Sequence, residues 1–323
     1  MSDSKSILSA KISKRNFIKI IAGSVLSIST SNNLFSYNKI QESKNSLPFY
    51  PQNLDIPPIF CIAYISPNVE DQKNQEHIVA KYPLVIVPQD QRYDFIRWRD
   101  KVKSINPDIK MLAYHMVIEE TDVPGPGHDK LRKVKDSWCV YPGGLVPMVD
   151  AVPRKMRIFD PRKSEWRSCF LDGCRATLSA YPYDGLFLDQ CSVFVKSNPF
   201  PGVRDEMRRA IQDVLLQLRK EFPNMLLIGN SRYSWSGLNG EMNEFRLNEI
   251  ERELRKYPGH SLPRVELVQT YLKHSNDINT IVKEMSIVHA HGGFYGTCVK
   301  AQQVLWFEEF DQVIRSYNEK KLI

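Results

Sequence analysis

Tyr183-Asp184-Gly185-Leu186-Phe187-Leu188-Asp189-Gln190 is a short apolar run that ends in a carboxylate. Within it Gly185–Asp189 is the candidate strand, its apolar residues continuous rather than alternating, the pattern of a parallel strand covered on both faces. Seven further runs of this kind lie along the chain: Ile59–Ile65, Leu84–Val87, Lys110–Val117, Met225–Asn230, Gly240–Phe245, Val265–Tyr271 and Gly292–Gly296. Helical patterns separate them. Trp166, Cys169, Phe170, Gly173, Cys174, Thr177 and Leu178 share one helical face before the fourth strand, and Val203, Met207, Ala210, Ile211, Val214, Leu215 and Leu218 share one after it. Eight strands alternating with helices predict an α/β fold, a (β/α)8 TIM barrel in a single domain. A doubly wound open sheet is the alternative, but no GxGxxG follows the first strand.

Length and composition agree. The chain has 323 residues, 42% hydrophobic and 25% charged, which excludes a disordered or low-complexity protein. A barrel of about 250 residues uses nearly all of it once the N-terminus is set aside. The net charge is +7, of which residues 1–43 carry +4. No basic stripe marks the remainder, so no nucleic-acid partner is expected. The basic stretch Lys130–Lys135 reads as a solvated face.

The N-terminus reads as an export segment. Lys11, Lys14 and Arg15 form a positive region, and Ile20–Ile28 is a nine-residue apolar stretch. A bilayer span needs about 20 apolar residues, so a signal is expected over a membrane span. Ser13-Lys14-Arg15-Asn16-Phe17-Ile18-Lys19 resembles a twin-arginine signal with Lys in place of the first Arg. No small-x-small cleavage site stands out, which leaves retention as an N-terminal anchor open. The organisation expected is an export-like segment over 1–36, a linker over 37–57, and the barrel over 58–323, with a periplasmic or extracellular location. Six cysteines without a CxxC pair do not make a disulfide-built fold or a zinc ribbon.

Asp is depleted in strands and costly to bury alone, so Asp189 at a strand end needs a reason. It either faces a catalytic rim, or caps the next helix or pairs with a buried Arg. In the sixth run, Gly240-Glu241-Met242-Asn243-Glu244-Phe245, Glu244 lies at the C-terminal end and is expected at the same rim as Asp189. Glu241, near the start, is expected at the surface. Two carboxylates facing across a barrel mouth are what glycoside hydrolysis needs, one ionised and one carrying a proton.

Three motifs carry a family resemblance: Asp184-Gly-Leu-Phe-Leu-Asp189, Gly240-x-Met-x-Glu-Phe245, and Phe159-Asp160-Pro161 with Glu165-Trp166-Arg167. Over roughly residues 58–310 the chain resembles the hypothetical glycosyl hydrolases of barrel fold, in particular hypothetical family 15, and is similar to the endo-α-polygalactosaminidase-like proteins. The resemblance implies a glycosidase acting on a poly- or oligosaccharide, with Asp189 as nucleophile and Glu244 as acid/base. It implies no cofactor.

Other strand ends offer groups suited to sugars: Tyr64, Tyr114, His115, Asn230, Arg232, Gln269, Tyr271 and Tyr295. Aromatic faces suit sugar rings, and amide or imidazole groups suit hydroxyls. Residues 118–161, rich in Pro and Gly, interrupt the alternation after the third strand and read as a substrate-covering lid or a structural flap. Trp138 within them is a candidate stacking platform. Asp160 is expected to cap a helix over Arg162–Ala180. His289-Ala-His291 has the spacing of some metal sites but no third ligand with recognisable spacing, so no metal is expected. A non-catalytic glycan-binding barrel and a metal-dependent amidohydrolase are the competing functions. No GxSxG elbow supports a serine hydrolase.

Overall fold

The computed structural model describes residues 57–63, 75–89, 94–119, 125–133, 135, 139, 158–191, 203–231, 235–246, 265–272, 277–290, 292–299 and 310–321. The export-like segment and nearly all of the expected linker lie outside the described residues. Among the described residues, besides a helical stretch over 75–79, eight strands and six helices follow in order: β1 (Phe60–Ile62), β2 (Leu84–Val87), α1 (Phe95–Ile105), β3 (Lys110–Met116), α2 (Pro126–Leu131), α3 (Ser164–Ala180), β4 (Gly185–Asp189), α4 (Val203–Glu221), β5 (Leu226–Asn230), β6 (Gly240–Arg246), β7 (Val265–Leu272), α5 (Ile278–Ala290), β8 (Phe294–Val299) and α6 (Phe310–Lys321).

Every neighbouring pair is parallel, in the order β1 to β8. A parallel bridge between Ile59 and Tyr295, with the Tyr295 N–H donating to Pro58 C=O at 2.9 Å, brings the first strand to the last. This is the (β/α)8 barrel. The expected β2 and β4 have the observed bounds. The last strand differs: it starts at Phe294 and runs to Val299, because Gly292 takes φ +75° in the turn that precedes it.

Alternation along each strand divides the apolar residues between two cores. Phe60, Ile62, Leu84, Ile86, Leu112, Met116, Phe187, Ile228, Met242, Leu267 and Phe294 fill the barrel interior. Cys61, Val85, Val87, Met111, Ala113, Leu186, Leu188, Leu227 and Val268 face the helices. From α3 they meet Trp166, Phe170, Leu171 and Cys174, and from α4 Met207, Ile211, Val214, Leu215 and Leu218. Gly185 opens β4 because a Cβ there would lie 1.8 Å from the Leu226 carbonyl oxygen. Its neighbour Asp184 pins the bottom of the strand, accepting the Met111 N–H at 2.8 Å and pairing with Lys103 at 3.0 Å.

The described parts of the long insertion belong to the outer layer. Antiparallel bridges join Glu119 to Ile158 and Cys139 to Phe159. Helix α2 backs onto β3 and α3 so closely that a Cβ on Gly127 would sit 2.4 Å from Thr177 Oγ1 and 2.6 Å from His115 Cε1. The part seen is therefore a packed structural element rather than a lid. Asp160 is corrected too: helix α3 begins at Ser164, and Asp160 instead takes the Arg162 N–H at 3.0 Å and the Arg162 guanidinium at 2.8 Å in the turn before it. Among the described residues, Cys61, Cys139, Cys169, Cys174 and Cys191 are unbridged, and no helix is long and apolar enough to cross a membrane.

Among the buried acids outside the strands, Glu284 has a raised pKa. Glu284 of α5 accepts from Thr270 Oγ1 at 2.7 Å and Tyr295 Oη at 2.6 Å. Burial pushes its carboxyl from the ordinary 4.5 up to about 7, against those two hydrogen bonds. The folded chain then keeps a proton that the unfolded chain has lost. The stability tied to this group is complete below pH 4.5 and falls as pH rises through about 7. Urea denaturation at pH 5 and pH 8 should therefore show Glu284→Gln removing a loss on the order of 3 kcal/mol from the wild-type difference. An unchanged difference in the variant would assign the pH dependence elsewhere.

Candidate active site

The C-terminal ends of the strands form the mouth of the barrel, where the interior alternation passes from apolar to polar. Phe187 is followed two residues later by Asp189, Leu112 by Tyr114, Ile228 by Asn230, Met242 by Glu244, and Leu267 by Gln269. Period two keeps each of these on the inner face.

Asp189 is the centre. It is 2% exposed. Its Oδ2 accepts the Tyr114 hydroxyl, and its Oδ1 accepts the Gln190 N–H and the Asn230 Nδ2, both at 2.8 Å. Burial raises the Asp189 carboxyl above its ordinary 3.8, and those three donors offset only part of the rise. Both oxygens receive hydrogens, so the state they favour is the carboxylate. Gln190 reaches back to its neighbour by taking φ +54°, a left-handed conformation uncommon outside glycine. Such strain is held only where surrounding structure fixes it.

Asn230 joins the two acids. Its Nδ2 donates to Asp189 Oδ1 at 2.8 Å and to Glu244 Oε1 at 2.9 Å. Two oxygens held so by one nitrogen lie within about 5.7 Å of each other, and about 5 Å apart when each takes one of the two amide hydrogens. Glu244 is half-buried, as suits a group that must meet solvent.

Alternation also removes candidates. His115 and Tyr295 follow the outward parity of β3 and β8. His115 lies behind the sheet against Gln89, His128 and Phe170, and Tyr295 donates to Glu284. The structure thus places both side chains on the outer face of the sheet rather than at the mouth. Gln269 is buried on the inner face, in register with Glu244. Tyr64, Trp138 and Arg232 lie outside the described residues, as does the side chain of Tyr271.

Glu241 is not at the surface. It is 8% exposed and accepts the Trp235 N–H at 3.1 Å, fixing the connection between β5 and β6. His289 sits at the end of α5, at the opposite end of the barrel from the mouth, and bonds Tyr317 of α6. His291 lies outside the described residues, among which no group of three or more ligand-type side chains gathers to hold a metal. Sequence reasoning missed Gln190, whose strained φ leaves no mark in residue type, and Gln89, whose role depends on where β2 stops.

No family model matches this chain, and no curated protein does. Solved structures do. The glycoside hydrolase domain of PelA from Pseudomonas aeruginosa is 16% identical with a TM-score of 0.51, the match covering 76% of this chain and 94% of that one. Alpha-L-fucosidase isoenzyme 2 from Paenibacillus thiaminolyticus is 13% identical with a TM-score of 0.52, over 82% of this chain and 49% of that one. The noncanonic maltogenic alpha-amylase AmyB from Thermotoga neapolitana is 10% identical with a TM-score of 0.51, over 83% and 77%. At these identities the likeness establishes the shared barrel fold.

The three donors on Asp189 make a direct test of the site. Tyr114→Phe removes one of them, so the Asp189 carboxyl should titrate at higher pH than in the wild type. Carboxyl-carbon NMR on Asp-labelled protein reads this, and an unmoved or lowered titration would mean that the Tyr114 hydroxyl does not govern Asp189.

Proposed function

We propose that this protein is an exported glycoside hydrolase that cleaves a poly- or oligosaccharide with retention of configuration. The observation that carries the reading is the Asn230 amide bridging Asp189 and Glu244 at the barrel mouth. Retaining glycosidases need carboxyl groups about 5–5.5 Å apart, whereas inverting ones need about 6.5–9.5 Å. The bridge supports the shorter spacing. Support for the class also comes from the structural neighbours, which are glycosidases, and from the three sequence motifs. Export rests on the basic and apolar pattern of residues 11–28.

The chemistry follows from the two environments. Asp189, with hydrogens directed at both oxygens, attacks the anomeric carbon as the carboxylate. Glu244, half-exposed, gives its proton to the departing glycosidic oxygen as that bond breaks. A glycosyl ester on Asp189 results. Glu244, now ionised, takes a proton from water, the water oxygen bonds the anomeric carbon, and the ester bond returns its electrons to Asp189. Asn230 holds the acids at the spacing this double displacement requires. Tyr114 releases its hydrogen bond partly as Asp189 loses charge and restores it as the carboxylate is regenerated.

Purified protein should release reducing ends from at least one member of a polysaccharide panel, beginning with α-linked polygalactosamine, the substrate class implied by the resemblance. Asp189→Asn and Glu244→Gln should each lower that rate by about a thousandfold or more while the protein stays folded. Glu241→Gln keeps an acceptor for Trp235 and should matter little. Proton NMR of the first-formed product should show the anomer of the substrate. Full activity in either acid variant would remove that residue from the mechanism, and the opposite anomer would end the retaining assignment. Glycan binding without release would instead make this a sugar-binding barrel.

A further inference from the structure

Strand β2 stops at Val87, in register with Ala113, but β3 continues to Met116. Along β3 the even-numbered backbone groups face β2 and the odd-numbered ones face β4: Lys110 N–H reaches Pro83 C=O, and Val117 N–H reaches Asp189 C=O. The carbonyl of Tyr114 and the N–H of Met116 therefore point to the side where β2 has ended. Buried backbone groups need partners. Two side chains replace the missing strand. Gln89 Nε2 donates to the Tyr114 carbonyl at 2.8 Å, and His128 Nε2 accepts the Met116 N–H at 3.2 Å.

Both side chains are themselves held. The second amide hydrogen of Gln89 reaches His115 Nδ1 at 2.9 Å, and its Oε1 accepts from Thr177 Oγ1 at 2.8 Å and Gly127 N–H at 3.1 Å. The rings of His115 and His128 stack at 5.3 Å, 3° from parallel. Gln89, His115, His128 and Thr177 are at most 1% exposed. An acceptor nitrogen is a bare one, so His128 works here as neutral imidazole. The strand end so fixed carries Tyr114, and its Met116 is in register with Asp189.

We propose that Gln89 and His128 are positioning residues for Asp189: they complete the ladder of β3 where β2 ends and so keep the Tyr114 hydroxyl on the Asp189 carboxylate. Neither touches the carboxylate. The effect on catalysis rests on Asp189 being the nucleophile, whereas the effect on the geometry of Asp189 does not. Helix α2 has its purpose here, since it delivers His128 from the insertion to the edge of the barrel.

The variants are His128→Phe, which keeps a stacked ring but removes the acceptor, and His128→Gln, which restores an acceptor. With a hydrolysed glycan as substrate, His128→Phe should lower kcat about tenfold or more and leave KM within about twofold. The acid limb of kcat/KM should move to higher pH, because a loosened Tyr114 favours ionised Asp189 less. His128→Gln should recover most of both. A second readout needs no substrate: the NMR titration of the Asp189 carboxyl should move up in His128→Phe and return in His128→Gln. Should His128→Phe fail to fold, Gln89→Met removes the other support and should give the same shifts. An unmoved Asp189 titration in a folded variant overturns the proposal, as does failure of His128→Gln to recover, or loss of folding in both His128→Phe and Gln89→Met. A moved titration in a protein that cleaves no glycan would sink the glycosidase reading alone.

Discussion

The structure rests on one constraint: in a closed parallel barrel each strand must satisfy two apolar cores at once, by turning alternate side chains to each. On the inner face of β3, β4, β5 and β6 the hydrocarbon gives way, toward the C-terminal ends, to Tyr114, Asp189, Asn230 and Glu244, with Met116 following Tyr114 on β3. These four come from four successive strands, and hydrogen bonds between their side chains join them into one site. No loop has to fold over to assemble them. The framework that excludes water from the barrel interior is the same one that sets the spacing of the two acids.

How much of this the sequence discloses depends on the type of signal. Strands covered on both faces are written as continuous apolar runs, so β2 and β4 could be read to the residue. The same continuity hides which parity faces inward. In β4 the terminal Asp189 breaks the ambiguity. In β3 both Tyr114 and His115 are plausible polar contacts, and only the paired structure assigns Tyr114 to the mouth and His115 to the outer layer. Tyr295 misleads for the same reason. Glu241 and Glu244 lie on opposite faces of β6, so both cannot reach the mouth, and the later one does. Residue type suggested a surface place for Glu241 because a buried acceptor of one backbone N–H looks like any other Glu in sequence.

Around His115 and around Glu284 the described outer layer departs from simple hydrocarbon packing and puts polar groups where helices meet strands. Around His115 and His128, Gln89 and His128 complete the ladder of β3, while His115 Nε2 is buried without a hydrogen-bond partner among the described residues. Around Glu284, hydroxyls of Thr270 and Tyr295 meet a carboxyl for which burial favours the proton-bearing form. Long-range placement creates both clusters. Gln89 and Thr177 are 88 positions apart, and nothing local in either stretch marks the contact. The insertion after β3 was legible as an irregularity, but the service of its helix to the strand beneath it was not.

The shared amide of Asn230 has a consequence for how the acids behave as a pair. One rigid group feels both charges, so a proton added to either carboxyl alters the hydrogen bond available to the other. The two acids are then linked through one side chain, and a change at either is felt at the other. Free-energy losses from changing Asp189, Glu244 and Asn230 will not sum, because each change also removes what the others were arranged to do. A cycle built on these three positions would measure their coupling, and Asn230 is the vertex through which it passes.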